Sequence, residues 1–223
     1  MHWQPVSMTL NWTMILKNTA TNGWNLFRLI TVSISVAVLI AMVPVDLSSA
    51  SGVSSMIQFS VRCSVPLLYL AFAASSLVVL FPGSFSRWLL RNRKYLGLAY
   101  AAAMAWQLFF ILWLLIGHLT YYIEEEYSLS DLSEQVPGYI LLLAMTLTSF
   151  RYWRSKISAR QWRVLHKGGI YFLWGTIWST YWYELYYYDD IQFIDYLFYW
   201  AGIASWGVRV LAWSKKQQLR ATA

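Results

Sequence analysis

Apolar positions along this chain gather into six long runs separated by short polar stretches. The runs cover 24–45, 57–81, 96–119, 136–152, 169–187 and 191–213. A helix needs about 20 residues to cross a bilayer, so each run reads as a span. The pattern therefore predicts an all-α fold: a polytopic membrane protein, a six-helix transmembrane bundle. The fourth run is the shortest, and its Pro137-Gly138 start suits a first helical turn. The fifth is built mostly from Trp, Tyr, Ile and Thr and holds Glu184 near its end, yet its flanks match those of a span. The organisation that follows is a polar segment at 1–23, a six-span domain at 24–213 and a basic tail at 214–223.

The charges orient the runs. Arg87, Arg91, Arg93 and Lys94 lie between the second and third. Arg151, Arg154, Lys156, Arg160, Arg163 and Lys167 lie between the fourth and fifth, and Lys215, Lys216 and Arg220 follow the sixth. Glu124, Glu125, Glu126, Asp131 and Glu134 join the third to the fourth without a Lys or Arg, and Asp189 and Asp190 join the fifth to the sixth. Basic connections stay in the cytoplasm, so both termini are expected inside. The segment 1–23 lacks an apolar signal core, and the first run is expected to remain as an anchor.

Composition agrees. The 223 residues are 58% hydrophobic and 12% charged, against about 25% charged in soluble domains, and mean hydropathy is +0.44. The net charge of +7 does not point to nucleic acid, because basic and acidic residues occupy alternate connections. A single cysteine, Cys63, excludes an internal disulfide and a cysteine-built metal cage. The crowd of Tyr and Trp at 181–188 reads as an aromatic belt at the outer interface. The acidic outer loops read as solvated, with a metal cation or a basic partner as the alternative. Arg62, near the outer end of the second span, is expected to snorkel to the headgroups, the alternative being a pair with an acidic group in the bundle. No GxGxxG or Walker motif is present, so no nucleotide site is recognised.

Histidines supply the candidate chemistry. His2 lies in the polar N-terminal segment, His118 near the outer end of the third span, and His166 at the inner end of the fifth. A six-coordinate haem held between antiparallel helices needs two axial ligands at one depth. At 1.5 Å rise per residue, His118 and His166 lie roughly 30 Å apart in depth, so they cannot share one. Met104 and Gln107 lie opposite His166, while Ser179 and Thr180 lie opposite His118. Helical angle puts Met104, Gln107 and His118 near one face. Alanines at 99, 101–103 and 105 keep the inner half of the third span narrow, which admits a flat macrocycle or close helix packing. Met104 with His166 is a chemically competent pair; glutamine is a poor ligand, and His118 with Ser179 or Thr180 is weak. The other reading of each histidine is a hydrogen-bonded core or interfacial group.

Two stretches carry a family resemblance. Leu90-Arg91-Asn92-Arg93-Lys94-Tyr95-Leu96-Gly97-Leu98 leads into the alanine-rich third span. Pro137-Gly138-Tyr139 and Thr146-Leu147-Thr148-Ser149 precede Trp162-Arg163-Val164-Leu165-His166. Over residues 81–183 these resemble the third to fifth helices of bacterial ferric reductase-like transmembrane proteins. That group includes the haem-binding membrane subunit of the periplasmic methionine sulfoxide reductase system. The resemblance implies a bacterial inner (cytoplasmic) membrane protein with haem b between helices three and five. It would pass electrons from a quinol or cytoplasmic flavoprotein toward a partner membrane or periplasmic subunit. His166 matches a family histidine and would hold the haem iron, with Arg163 and Trp162 at the propionates or the donor. The family's third-helix histidine falls at Gln107, Met104 occupies a position that is histidine in some relatives, and a later fifth-helix histidine falls near Ser179. Two other functions stay open: a haem-free accessory or interaction subunit that keeps the scaffold, and a small-molecule or ion carrier. The carrier is least favoured, since the spans lack the paired acids and broken helices of transport sites.

Overall fold

The computed structural model describes residues 16, 18–123, 129–187 and 191–221. His2, the loop acids Glu124, Glu125 and Glu126, and Asp189 and Asp190 lie outside them. The chain is all-helical: α1 (Gly23–Met42), α2 (Ala50–Leu80), α3 (Ser84–Gly117), α4 (Leu129–Leu147), α5 (Ala159–Tyr187) and α6 (Phe193–Ala221), with short helical turns at Thr19–Thr21, Leu119–Tyr121 and Arg151–Arg154. Three of these, α1, α2 and α3, are long and apolar enough to cross a membrane, which marks a helical membrane protein in contact with lipid.

Each helix starts or ends for a local reason. The Ser49 hydroxyl caps α2 by accepting the Gly52 N–H at 3.1 Å. The start of α1 is tied to α3 by Asn92, whose amide oxygen accepts the Gly23 N–H at 2.9 Å while its nitrogen donates to Asn22 and to the Trp88 carbonyl. Gly23 sits at φ 63°, a conformation that favours glycine. Asn92 is fully buried, and these bonds satisfy it. Pro137 lies inside α4 rather than in its first turn. Proline removes one ladder hydrogen bond, a loss that helices in a bundle tolerate when neighbours and nearby side chains compensate.

The polar stretches are helical too. α3 begins at Ser84, so Arg87, Arg91, Arg93 and Lys94 sit on its first turns. α5 begins at Ala159 and carries Arg160 to Lys167, and α6 runs on through Lys215 and Lys216 to Ala221. α4 ends at Leu147, short of the expected 152, and the chain turns into Arg151–Arg154.

α2 is the central element and packs on α1, α3, α5 and α6, while α4 bridges α3 and α5. Cross-links define the ends. Lys215 donates to the Val79 carbonyl at 3.1 Å and Arg209 to the Phe72 carbonyl at 2.7 Å, which puts the C-terminal halves of α2 and α6 side by side. Thr148 meets His166 at 3.1 Å. The starts of α1, α3 and α5 and the ends of α2, α4 and α6 thus share one basic end. At the opposite end Arg62 pairs with Asp195 at 3.2 Å and donates to Gln192 at 2.9 Å. The pairing alternative holds for Arg62 because the buried Asp195 carboxylate, already accepting the Gln192 N–H, offers a fixed partner.

The apolar core has two parts. The larger, around Val65, Leu68, Phe72, Leu96, Ala99 and Ile170, joins α2, α3 and α5, takes in Leu26, Leu142 and Phe198 of the other helices, and runs from the basic end toward Tyr181; the smaller, around Val38, Val53, Met56, Phe110 and Leu114, joins α1, α2 and α3 at the other end. A ladder of stacked rings, Phe72 on Trp174, Trp174 on Trp178 and Trp178 on Tyr199, runs between α2, α5 and α6 at centroid spacings of 5.4, 5.9 and 5.7 Å.

Candidate binding cavity

The helices leave a cavity of about 530 Å³ at the basic end. α3 contributes Arg93, Lys94, Gly97, Leu98 and Tyr100. α5 faces it with Trp162, Arg163, His166, Lys167, Ile170 and Leu173. α4 and the turn after it add Leu142, Met145, Thr146, Thr148, Ser149 and Arg154, while Leu68 and Ala71 come from α2 and Arg209 from α6. The volume is that of a small-molecule site.

The site forms because α4 holds α3 and α5 apart. Tyr139 of α4 donates to the Gln107 amide oxygen at 2.8 Å, fixing α4 against α3. Gly169 lets α4 pack on α5, since a Cβ there would run into the Met145 thioether. Trp162 lies one turn before His166, and the two rings stack at 4.4 Å. The Arg154 guanidinium covers the indole of Trp162 at 5.3 Å.

Six cations border the cavity: Arg93, Lys94, Arg154, Arg163, Lys167 and Arg209. No Asp or Glu lines it, and none of the six has a carboxylate within ion-pair distance among the described residues. Arg209 is held by the Tyr171 hydroxyl at 3.0 Å and by the Phe72 carbonyl and ring face. Burial and then the field of Arg209 hold the Arg93 guanidinium below its usual pKa. His166, three residues before the fifth apolar run, is pushed down to about 4 by desolvation first and then by Arg93 and Arg154. Its imidazole is neutral at physiological pH.

Two of the lining residues carry a polar atom buried without a partner: the Tyr100 hydroxyl and the Trp162 indole Nε1. Tyr100 is 2% exposed. A buried donor left unpaired costs about 1–3 kcal/mol, so these two form an unmet hydrogen-bonding demand in the wall of the cavity.

The sequence-predicted residues separate here. His166, Trp162 and Arg163 come together in the lining; Met104, Gln107 and His118 do not. Met104 is buried toward α2, where its sulfur lies 3.3 Å from the Ser64 hydroxyl, which also donates to the Val61 carbonyl at 2.8 Å. Gln107 faces α4. His118 ends α3 at the far end, its N–H bonded to the Leu114 carbonyl. Three residues rotate a helix face by about 60° net, enough to send Met104 and Gln107 to different neighbours.

That arrangement does not fit a six-coordinate haem. The Thr148 hydroxyl, which donates to the Ala144 carbonyl at 2.7 Å, also lies 3.1 Å from His166 Nε2, so that ring nitrogen already has a protein partner. Met145, the thioether in the lining, packs against Gly169 on the α4–α5 seam. Propionates would find ample cations; the iron would find no facing pair. No cluster of three or more His, Cys, Asp or Glu that could hold a metal ion occurs among the described residues.

Sequence reading missed Tyr100, Thr148, Arg154 and Arg209 as wall residues. Arg209 was signalled as a lone cation inside the last apolar run. Tyr100 carried no signal, because only the fold shows that its hydroxyl lacks a partner. Compared with known protein families, curated proteins and solved structures, the chain matches none.

Proposed function

We propose that this chain is a six-span protein of the bacterial inner membrane, with both termini and the basic end in the cytoplasm. Its scaffold is similar to that of ferric reductase-like proteins, and it works as a haem-free ligand-holding subunit of a membrane complex. The basic-end cavity is its working site. The carrying observation is that the two candidate axial ligands do not face one another: His166 lines the cavity with Nε2 against Thr148, while Met104 is buried away from it against Ser64 of α2. Each of the six apolar runs falls on one of the six long helices, three of them long and apolar enough to cross a membrane, and the basic clusters of α3, α5 and α6 gather at one end, as the positive-inside rule asks of such a topology.

A second reading, electron transfer through haem b held at His166, draws support from the neutral imidazole and from cations suited to propionates. The dithionite-reduced minus oxidised spectrum of the detergent-purified protein separates the two, together with a pyridine haemochrome count. The haem-free reading expects no b-type alpha band, even after haem is supplied during expression. About one haem per chain, lost in His166→Ala, would establish the second reading instead.

A further inference from the structure

We infer that the basic-end cavity binds a lipid phosphate, an amphiphile with a phosphomonoester or diphosphate head and an apolar tail, taken from the cytoplasmic leaflet. The inference rests on the haem-free reading of the same site. Three independent features of the wall carry it.

The first is charge. Six cations border one concavity with no carboxylate among its walls. Lys94, Arg163 and Lys167 stand exposed at its mouth, while Arg93, Arg154 and Arg209 are half-buried, and Arg93 feels the charge of Arg209. Like charges brought together across a cavity repel unless an anion lies between them. A single carboxylate would leave most of that charge unmatched, whereas a phosphomonoester brings close to two negative charges and three acceptor oxygens. Arginine forks suit phosphate geometry.

The second is a pair of lining residues with unpartnered donors. Tyr100 and Trp162 line the cavity, and the Tyr100 hydroxyl and Trp162 Nε1 are buried without a partner. Neither atom is accessible from the cavity as it stands, so a ligand's acceptor oxygen would reach them only with a shift of the rings.

The third is the floor. Beyond the cations, Leu68, Leu98, Leu142, Ile170 and Leu173 form an apolar wall. An inorganic anion would leave that surface wet, while an acyl or prenyl chain covers it. Head and tail thus match opposite ends of one cavity of about 530 Å³, which faces the leaflet where anionic lipids are concentrated.

The test uses the full-length protein in neutral detergent and native mass spectrometry with three probes: oleoyl lysophosphatidic acid, oleoyl lysophosphatidylcholine and inorganic phosphate. Lysophosphatidic acid is expected to be retained at one per chain and at least tenfold more tightly than the choline lipid, with phosphate alone not retained. Retention should fall at least tenfold in an Arg93→Gln/Arg163→Gln variant and severalfold in Lys167→Gln. Lys167 lines the cavity and is exposed, so its variant keeps the test decisive if the double variant does not fold. Equal retention of the two lipids overturns the headgroup assignment, and equal retention of phosphate alone overturns the tail. The haemochrome count on the same preparation keeps the two claims apart. Haem without lipid ends the haem-free reading, and neither haem nor lipid ends the lipid inference alone.

Discussion

At the scale of single residues, His166 is the clearest case of environment setting chemistry. Its folded-state pKa, about 4, lies below the ordinary 6.5. The unfolded chain therefore binds more protons between those two values, and this contribution to stability is complete above about pH 6.5 and lost as pH falls toward 4. Thermal unfolding in detergent can be followed with a thiol-reactive dye, because Cys63 is the sole cysteine. Across that window the parent should lose stability relative to His166→Gln, and above it the difference should be flat. A difference that stays constant from pH 7 to 4.5 would mean the ring is not held neutral by its surroundings. The sequence made His166, Trp162 and Arg163 legible together because a motif within two helical turns fixes its own geometry. It could not place Met104 or Gln107, since the rotation of α3 against α2 and α4 is set by packing such as the Met104–Ser64 and Gln107–Tyr139 contacts.

Between helices, close approach depends on two glycines that differ in what they face. A Cβ at Gly202 would lie 2.6 Å from the Trp178 ring and 2.8 Å from the Tyr69 hydroxyl, and the Gly202 carbonyl also accepts the Trp174 indole N–H. Trp178 belongs to the stacked ladder and Tyr69 is buried, so neither ring moves aside freely. At Gly169 the obstacle is the flexible end of Met145, which can swing away. Gly202→Ala is therefore expected to cost about 1–3 kcal/mol and Gly169→Ala clearly less, read as unfolding midpoints in detergent. Equal costs would show that the ring ladder is more yielding than its contacts suggest. The helices themselves were legible as apolar runs, but their lengths were not. α3, α5 and α6 continue well past the apolar stretch on the basic side, where a solvated charged helix and a loop have the same hydropathy. Pro137 misled for a related reason: it is compatible with a first turn, and only the bundle shows that α4 extends before it.

For the whole molecule, the sidedness of the charges gives a direct test of the proposed topology. A reporter enzyme active only outside the cytoplasm should work when fused after Ser128 and fail when fused after Gly83 or Lys156. Activity after Gly83 or Lys156 would turn the bundle over and place the cavity on the outer leaflet. The resemblance to ferric reductase-like proteins remains a proposal about ancestry, while the separation of α3 from α5 by a lined cavity is what gives the site its shape.

The division of the core has a consequence for how the protein is made. The smaller cluster draws its buried residues from α1, α2, α3 and Tyr122, all in the first part of the chain to leave the ribosome, and the same three helices are apolar enough to enter a bilayer unaided. α5 and α6, loaded with Trp, Tyr and charge, complete the larger cluster by packing on α2 and on each other, with α4 against α5. The first three helices can therefore bury their shared cluster before the rest of the chain is made, whereas the cavity has all its walls only once Arg209 arrives on α6.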